Sequence, residues 1–186
     1  DLRAAYRRVL LHLAADDLTS ASPEDMMPIV GERIAALVDA TLDAALALAR
    51  RDIDPEARVP FAIIAMGKTG ARELNYISDV DVVYVAEAGA DGDERSALEI
   101  ATRLASATAS ACSGPGSEAP LWTVDANLRP EGRNGVLVRT IDSYRQYWDK
   151  WAQTWEFQAL LKARACAGDP RLGMAFEEAA QPYVWS

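Results

Sequence analysis

Residues 61–87 read FAIIAMGKTGARELNYISDVDVVYVAE, and the parsing of this stretch decides the fold. Phe61 to Met66 is an unbroken apolar run of the kind a fully buried strand carries. Gly67-Lys68-Thr69-Gly70 interrupts it, and a short helical stretch is expected from Ala71 to Leu74. Val82-Val83-Tyr84-Val85 then reads as a second, β-branched strand. Asp79 and Asp81 are two residues apart, so on a strand both carboxylates point to one face. Neighbouring carboxylates repel each other and are costly beside a core. A divalent cation relieves that repulsion, and one or two carboxylates completed by substrate phosphates suit Mg²⁺. The bland alternative is a solvated pair at a strand end, which the apolar flanks on both sides disfavour.

Moving outward from this core, Leu121 to Leu128 reads as a third strand and carries Asp125. A two-metal site, with ions about 4 Å apart, needs ligands from more than one direction, so a third carboxylate on a neighbouring strand has a chemical purpose. Taken alone, an aspartate on a strand is mostly structural. The run Arg129-Pro130-Glu131-Gly132-Arg133-Asn134-Gly135 follows, and Arg129, Arg133 and Arg139 are candidates to hold phosphate, because a guanidinium fork matches phosphate oxygens. Each of them also reads as an ordinary surface arginine.

Helical patterns surround these strands. Over 1–17, Leu2, Tyr6, Val9, Leu10 and Leu13 share a face, with Arg3, Arg7 and Arg8 off it. His12, the only histidine, has no evident partner and reads as a packing or surface residue. Ser22-Pro23 with Asp25 is a helix start. The longest helical pattern runs from Pro28 to Arg51, with alanines suited to close packing. An acidic turn is expected over 89–94, a helix over 94–111 and a flexible loop over 113–117. Two further helices are expected around 142–150 and 153–164. Tyr144, Tyr147, Trp148, Trp151 and Trp155 form an aromatic stripe that reads as core rather than as a base-stacking platform. A last helix, Leu172 to Ala180, looks cut off from its partners.

Composition sets the limits. The 186 residues are half hydrophobic, which excludes general disorder and allows a core of its own. The net charge of −9 makes free nucleic acid an unsuitable partner without a local basic groove. Cys112 and Cys166 show no metal-ligand spacing and read as reduced thiols, which points to the cytoplasm. There is no signal peptide, and no apolar run reaches the length a membrane helix needs. The chain begins without Met and reads as a fragment of a longer protein.

A glycine-led turn followed about a dozen residues later by Asp-x-Asp resembles the nucleotidyltransferase signature. The match is closer to the glutamine synthetase adenylyltransferases. Their first motif resembles Met66-Gly67-Lys68-x-Gly70-x-x-Glu73-Leu74 followed by Ser78-Asp79-x-Asp81. Ala71 stands where the family often has a second glycine, and this departure touches the turn rather than the carboxylates. A second motif, Asp-x-x-Leu-Arg-Pro-x-Gly, is matched by Asp125, Leu128, Arg129, Pro130 and Gly132, with Asn127 where many relatives carry Arg. A third resembles Trp155-Glu156 through Lys162-Ala163-Arg164. The three occur in the family's order between Phe61 and about Asp169.

The resemblance implies an α/β (α+β) nucleotidyltransferase domain of polymerase-β-like type, with a short mixed sheet between N-terminal and C-terminal helices. Its expected bounds are a helical segment over 1–58, the catalytic domain over 59–170 and the start of a further helical region over 171–186. It implies Mg²⁺ (or Mn²⁺) held by Asp79, Asp81 and Asp125, which would be the catalytic residues. Phosphate or nucleotide contacts would come from Gly67, Lys68, Ser78, Arg129, Lys162 and Arg164. On a helix Arg164 and Lys162 point apart, and Arg164 is expected in the cleft, paired with a motif aspartate or bound phosphate. The implied substrates are glutamine synthetase with ATP, ADP or phosphate, with a nitrogen-signalling protein as regulator of the full-length enzyme and neither nucleic acid nor membrane as partner. The family carries two such domains, one adding AMP to a tyrosine and one removing it by phosphorolysis. The opening helix and the run Glu73-Leu74-Asn75-Tyr76 resemble the AMP-removing half more closely. The alternatives are the ATP-dependent half and, in another class, a catalytically silent nucleotide-sensing or docking module.

Overall fold

The computed structural model describes residues 1–89 and 92–185, so the acidic turn expected over 89–94 lies partly outside the described residues. The described residues form seven α-helices and five strands in an α/β arrangement. Two long helices come first, α1 (Leu2–Leu18) and α2 (Pro23–Ile53). The sheet then begins with β1 (Phe61–Ala65), the short α3 (Gly67–Gly70) and β2 (Val80–Ala86). Next come α4 (Glu94–Ser113), β3 (Val124–Asp125) and β4 (Val138–Arg139). The chain continues with α5 (Ile141–Lys150), α6 (Thr154–Leu160), β5 (Arg164–Gly168) and α7 (Pro170–Val184).

The sheet is mixed. β1 runs antiparallel to β2 on one side and to β5 on the other. Both β3 and β4 pair with β2 in parallel, one after the other along the same edge. Strand alternation sorts the side chains of the sheet into two cores. Phe61, Ile63, Val80, Val82 and Tyr84 pack with the buried stripe of α2 (Ile34, Val38, Leu42, Leu46) and with Leu104 of α4. Ala62, Ile64, Val83 and Val85 face the other way, against Tyr144 and Trp148 of α5 and Leu172 and Phe176 of α7. Burying each large side chain contributes roughly 1.5–3 kcal/mol, so both helical layers are held to the sheet. α2 and α4 cover one face of the sheet and α5 and α7 cover the other, with α7 also packed on α6.

Several local expectations are corrected. The helical turn in the first motif is the glycine segment itself, Gly67–Gly70, while Ala71 and Arg72 form a turn and Glu73 and Leu74 are irregular. Only Val124–Asp125 of the expected 121–128 strand is paired. The helix start expected at Ser22-Pro23 is where α2 begins, and the pattern expected from Pro28 continues it without a break, since Pro28 costs only one early backbone bond. The helix expected over 153–164 ends at Leu160, and Arg164 opens β5. That strand, Arg-Ala-Cys-Ala-Gly, has no β-branched residue, so its composition carries no strand signal. Arg3 lies inside rather than off the apolar face: it is 7% exposed, and its guanidinium donates to the carbonyls of Ser110, Ala111, Gly114 and Glu118. It thereby satisfies the free carbonyls at the end of α4 and anchors the loop expected to be flexible. Of the aromatic stripe, Tyr144 and Trp148 are core, while Trp151 and Trp155 are exposed.

Candidate active site

The register of the sheet brings two of the three candidate carboxylates together. Asp81 of β2 is the direct partner of Asp125 of β3 in a parallel pairing, and neighbouring strands are about 4.8 Å apart. Alternation puts Asp81 on the face of Val83 and Val85. Asp79 lies just before β2 and is exposed. The Asp81 carboxyl is pushed above its ordinary value by burial, then by the charge of Asp125, then by that of Asp79. Among the described residues none of the three aspartates forms a salt bridge. Asp125 accepts a hydrogen bond from the Asn127 N–H at 2.7 Å on Oδ1, which fixes its rotamer.

The glycine segment lies against Asp81. Met66 N–H donates to the Asp81 carbonyl at 2.9 Å, so the end of β1 is tied to β2 at Asp81. Gly67 has φ of +51°, and a Cβ placed there would lie 2.6 Å from Asp81 Oδ2. The left-handed backbone favours glycine here, and any side chain would have to displace the carboxylate or the turn. Lys68 is exposed and forms no ion pair among the described residues. The Ser78 hydroxyl donates to Asn75 Oδ1 at 2.6 Å, holding the loop before Asp79. A cleft of about 650 Å³ opens beside this loop, between Gly31 and Glu32 of α2 and Arg72, Leu74 and Asn75. A second cavity of about 600 Å³, lined by Asp43, Arg50 and Arg171, is at the opposite end of β1 and β5.

The candidate cations are disposed differently. Arg129 folds back on its own loop, donating to the carbonyls of Ala126 at 2.7 Å and Gly135 at 3.2 Å. Arg133 is exposed. Arg139 forms an ion pair with Glu131 and lies over the Tyr147 ring at 5.8 Å. Lys162 pairs with Glu73 at 2.9 Å on the surface. Arg164 does not meet a motif aspartate. It opposes Ala65 in β5, on the sheet face turned to α2, and its fork closes on Asp39 at 2.8 and 3.0 Å. The expected pairing assumed a helix; a strand residue in that register faces away from Asp81.

Asp39 is the residue that sequence reasoning passed over. It borders the buried stripe of α2, and Asp43 follows four residues later on the same edge, accepting from the Gly168 N–H at 3.1 Å. Two acids spaced i,i+4 beside an apolar stripe were the available signal.

Whether a divalent cation fits rests on this donor set. The oxygens are hard, and among the described residues no cation lies within salt-bridge distance of Asp81 or Asp125 to relieve their repulsion. Among the described residues no group of three or more potential ligands is close enough to hold a metal by itself. Asp81 and Asp125 side by side supply one or two hard carboxylates, the number with which Mg²⁺ is held when substrate phosphates complete its shell. The residues therefore fit a cation that arrives with a nucleotide.

Comparison with known proteins agrees with the motifs. A family profile described as glutamate-ammonia ligase adenylyltransferase matches residues 1–179. Over 185 residues the chain is 53% identical to a Cutibacterium acnes protein named bifunctional glutamine synthetase adenylyltransferase/adenylyl-removing enzyme, covering 99% of this chain and 19% of that protein. A Streptomyces coelicolor protein of the same name is 53% identical over 188 residues, covering 99% of this chain and 18% of its own. One from Mycolicibacterium smegmatis is 47% identical over 188 residues, covering all of this chain and 18% of its own. The chain thus spans about a fifth of the length of these relatives. No helix among the described residues is long and apolar enough to cross a membrane.

Proposed function

The chain belongs to the glutamate-ammonia ligase adenylyltransferase family, and from that premise we propose that it is a nucleotidyl-transfer domain acting on AMP attached to a tyrosine of glutamine synthetase. The observation that carries the reading is the side-by-side register of Asp81 and Asp125, two carboxylates that repel each other and form no salt bridge among the described residues. Asp79, Asp81 and Asp125 would hold Mg²⁺ or Mn²⁺ together with the nucleotide phosphates. The bound ion supplies charge neutralisation as the phosphorus passes through its in-line transition state. Gly67 offers bare backbone against which a phosphate fits, and Lys68 adds a positive charge on a mobile stem. Asn127 N–H holds Asp125 Oδ1, so Oδ2 would be the oxygen offered to the cation.

The direction we assign is removal. An oxygen of inorganic phosphate attacks the phosphorus of the AMP group, the bond to the tyrosyl oxygen breaks, the tyrosine hydroxyl regains a proton, and ADP leaves. The wording of α1 and of Glu73-Leu74-Asn75-Tyr76 supports this half. The cytoplasm and control of the full-length enzyme by a nitrogen-signalling protein belong to the same reading. The test offers the full-length enzyme, with its other transferase domain inactivated, AMP-tyrosyl glutamine synthetase with phosphate, or unmodified glutamine synthetase with ATP. ADP release in the first arm is expected. Transfer from ATP in the second arm alone reverses the direction, and turnover in neither arm removes the catalytic reading.

A further inference from the structure

Arg164 has five N–H donors, and each meets a protein acceptor. Nη1 reaches Asp39 Oδ2 at 2.8 Å and the Ala165 carbonyl at 3.3 Å. Nη2 reaches Asp39 Oδ1 at 3.0 Å and the Thr69 carbonyl at 3.3 Å. Nε reaches the Gly70 carbonyl at 3.2 Å. A fork of this kind holds a fixed geometry because the guanidinium is planar. Burial works against the charge, but Asp39 outweighs it, and the guanidinium is held above its ordinary value.

The two carbonyls matter because of where they sit. α3 is four residues long, and at its end the Thr69 carbonyl accepts from the Arg72 N–H at 3.3 Å as well as from Arg164, while the Gly70 carbonyl accepts from Arg164 Nε. Its first residue, Gly67, lies against Asp81 Oδ2, and its last, Gly70, lies against Arg164. Gly70 is also pressed under the chain at Lys162, where an added Cβ would fall 1.8 Å from the Lys162 carbonyl oxygen. Any shift at the Arg164 end of so short a rigid element is passed on to the end that faces the carboxylates.

We propose that Asp39 and Arg164 are positioning residues for the glycine turn: Asp39 on α2 aims the Arg164 fork, and the fork holds the Thr69 and Gly70 carbonyls so that Gly67 and Lys68 keep their place against Asp81. This rests on the nucleotidyl-transfer reading above for its catalytic consequence. Both residues lie on the α2 face of the sheet, away from the Asp81 carboxylate. The pair couples the α2 layer to the phosphate side of the site from the opposite face of the sheet.

The test compares wild type, Asp39→Ala, Asp39→Asn and Arg164→Lys in the full-length enzyme, by amide hydrogen exchange over 67–73 and by steady-state kinetics. Asp39→Ala is expected to speed exchange in this segment at least about tenfold. It should raise the nucleotide or phosphate KM and lower kcat by up to about a hundredfold, the scale of a small misplacement, with the KM for glutamine synthetase within about twofold. Arg164→Lys keeps a charge for Asp39 but cannot fork to two carbonyls, so it should fall with Asp39→Ala. If Asp39→Ala does not fold, Asp39→Asn, which keeps the volume and one acceptor, gives the same comparison at smaller amplitude. Unchanged exchange, or a lower melting temperature with unchanged kinetic constants, overturns the proposal. Full activity in Arg164→Lys also overturns it. A wild-type enzyme without transfer activity defeats the functional reading instead, and the exchange data still decide whether the pair anchors the turn.

Discussion

Gly67 and Asp81 are in contact across the end of β1 and β2: a Cβ at Gly67 would lie 2.6 Å from the Asp81 carboxylate, at a backbone φ of +51°. Both facts act on the same substitution. Gly67→Ala takes on the left-handed backbone penalty of about 1–2 kcal/mol and must also displace either the turn or the carboxylate. The expected result is a modest loss in thermal stability together with a loss of transfer activity of about a hundredfold. Kinetics and melting measured on the same preparation check this, and an alanine variant with wild-type turnover would show that the turn does not need to approach Asp81.

The raised pKa of Asp81 carries a sign that can be measured. Its causes are burial, then Asp125, then Asp79. A group whose folded-state pKa lies above its unfolded value binds its proton more tightly in the folded state. Its contribution to stability is present at low pH and is lost as pH rises from the ordinary aspartate range through the raised folded value. With chelator present, Asp81→Asn should therefore gain stability relative to wild type as pH rises through that window, and the two should converge below it. Comparing melting temperatures of the pair across pH removes the contributions of other carboxylates. A difference that shrinks toward neutral pH would contradict the repulsion between Asp81 and Asp125.

Much of this arrangement was legible in the sequence, for definite reasons. β1 and β2 are apolar and β-branched, so periodicity alone marks them, and the spacing of Asp79 and Asp81 gives their common side. Asp125 could be named from its motif, but its register opposite Asp81 depends on parallel pairing, which local sequence does not encode. β5 was hidden because Ala165, Cys166, Ala167 and Gly168 carry no strand preference; pairing with β1 makes the strand. The partner of Arg164 was hidden for the same reason, since a helix and a strand send that side chain to different faces. Arg3 reads as an exposed charge until the open carbonyls at the end of α4 are in view.

Arg3 gives a prediction separate from catalysis. Its guanidinium joins α1 to Ser110, Ala111, Gly114 and Glu118 through four carbonyls. Charged hydrogen bonds and the buried carbonyls left behind make Arg3→Ala worth roughly 3 kcal/mol of stability. Denaturant unfolding should show this loss, with kinetic constants unchanged well below the melting transition. A loss under about 0.5 kcal/mol, the range of an ordinary surface change, would mean that water replaces the guanidinium at the end of α4.

Whether Asp81 and Asp125, with Asp79, hold a divalent cation with the nucleotide at the end of β2 and β3 is measured most directly by titrating Mn²⁺, followed by electron paramagnetic resonance, into the full-length enzyme with its other transferase domain inactivated and nucleotide present. The comparison is between wild type and Asp81→Asn and Asp125→Asn, the latter keeping an acceptor for Asn127 N–H. Tight nucleotide-dependent Mn²⁺ binding in wild type, weakened at least about tenfold in both variants together with loss of transfer, is the predicted result. Equal Mn²⁺ affinity in all three proteins, with transfer activity retained in either variant, would contradict it.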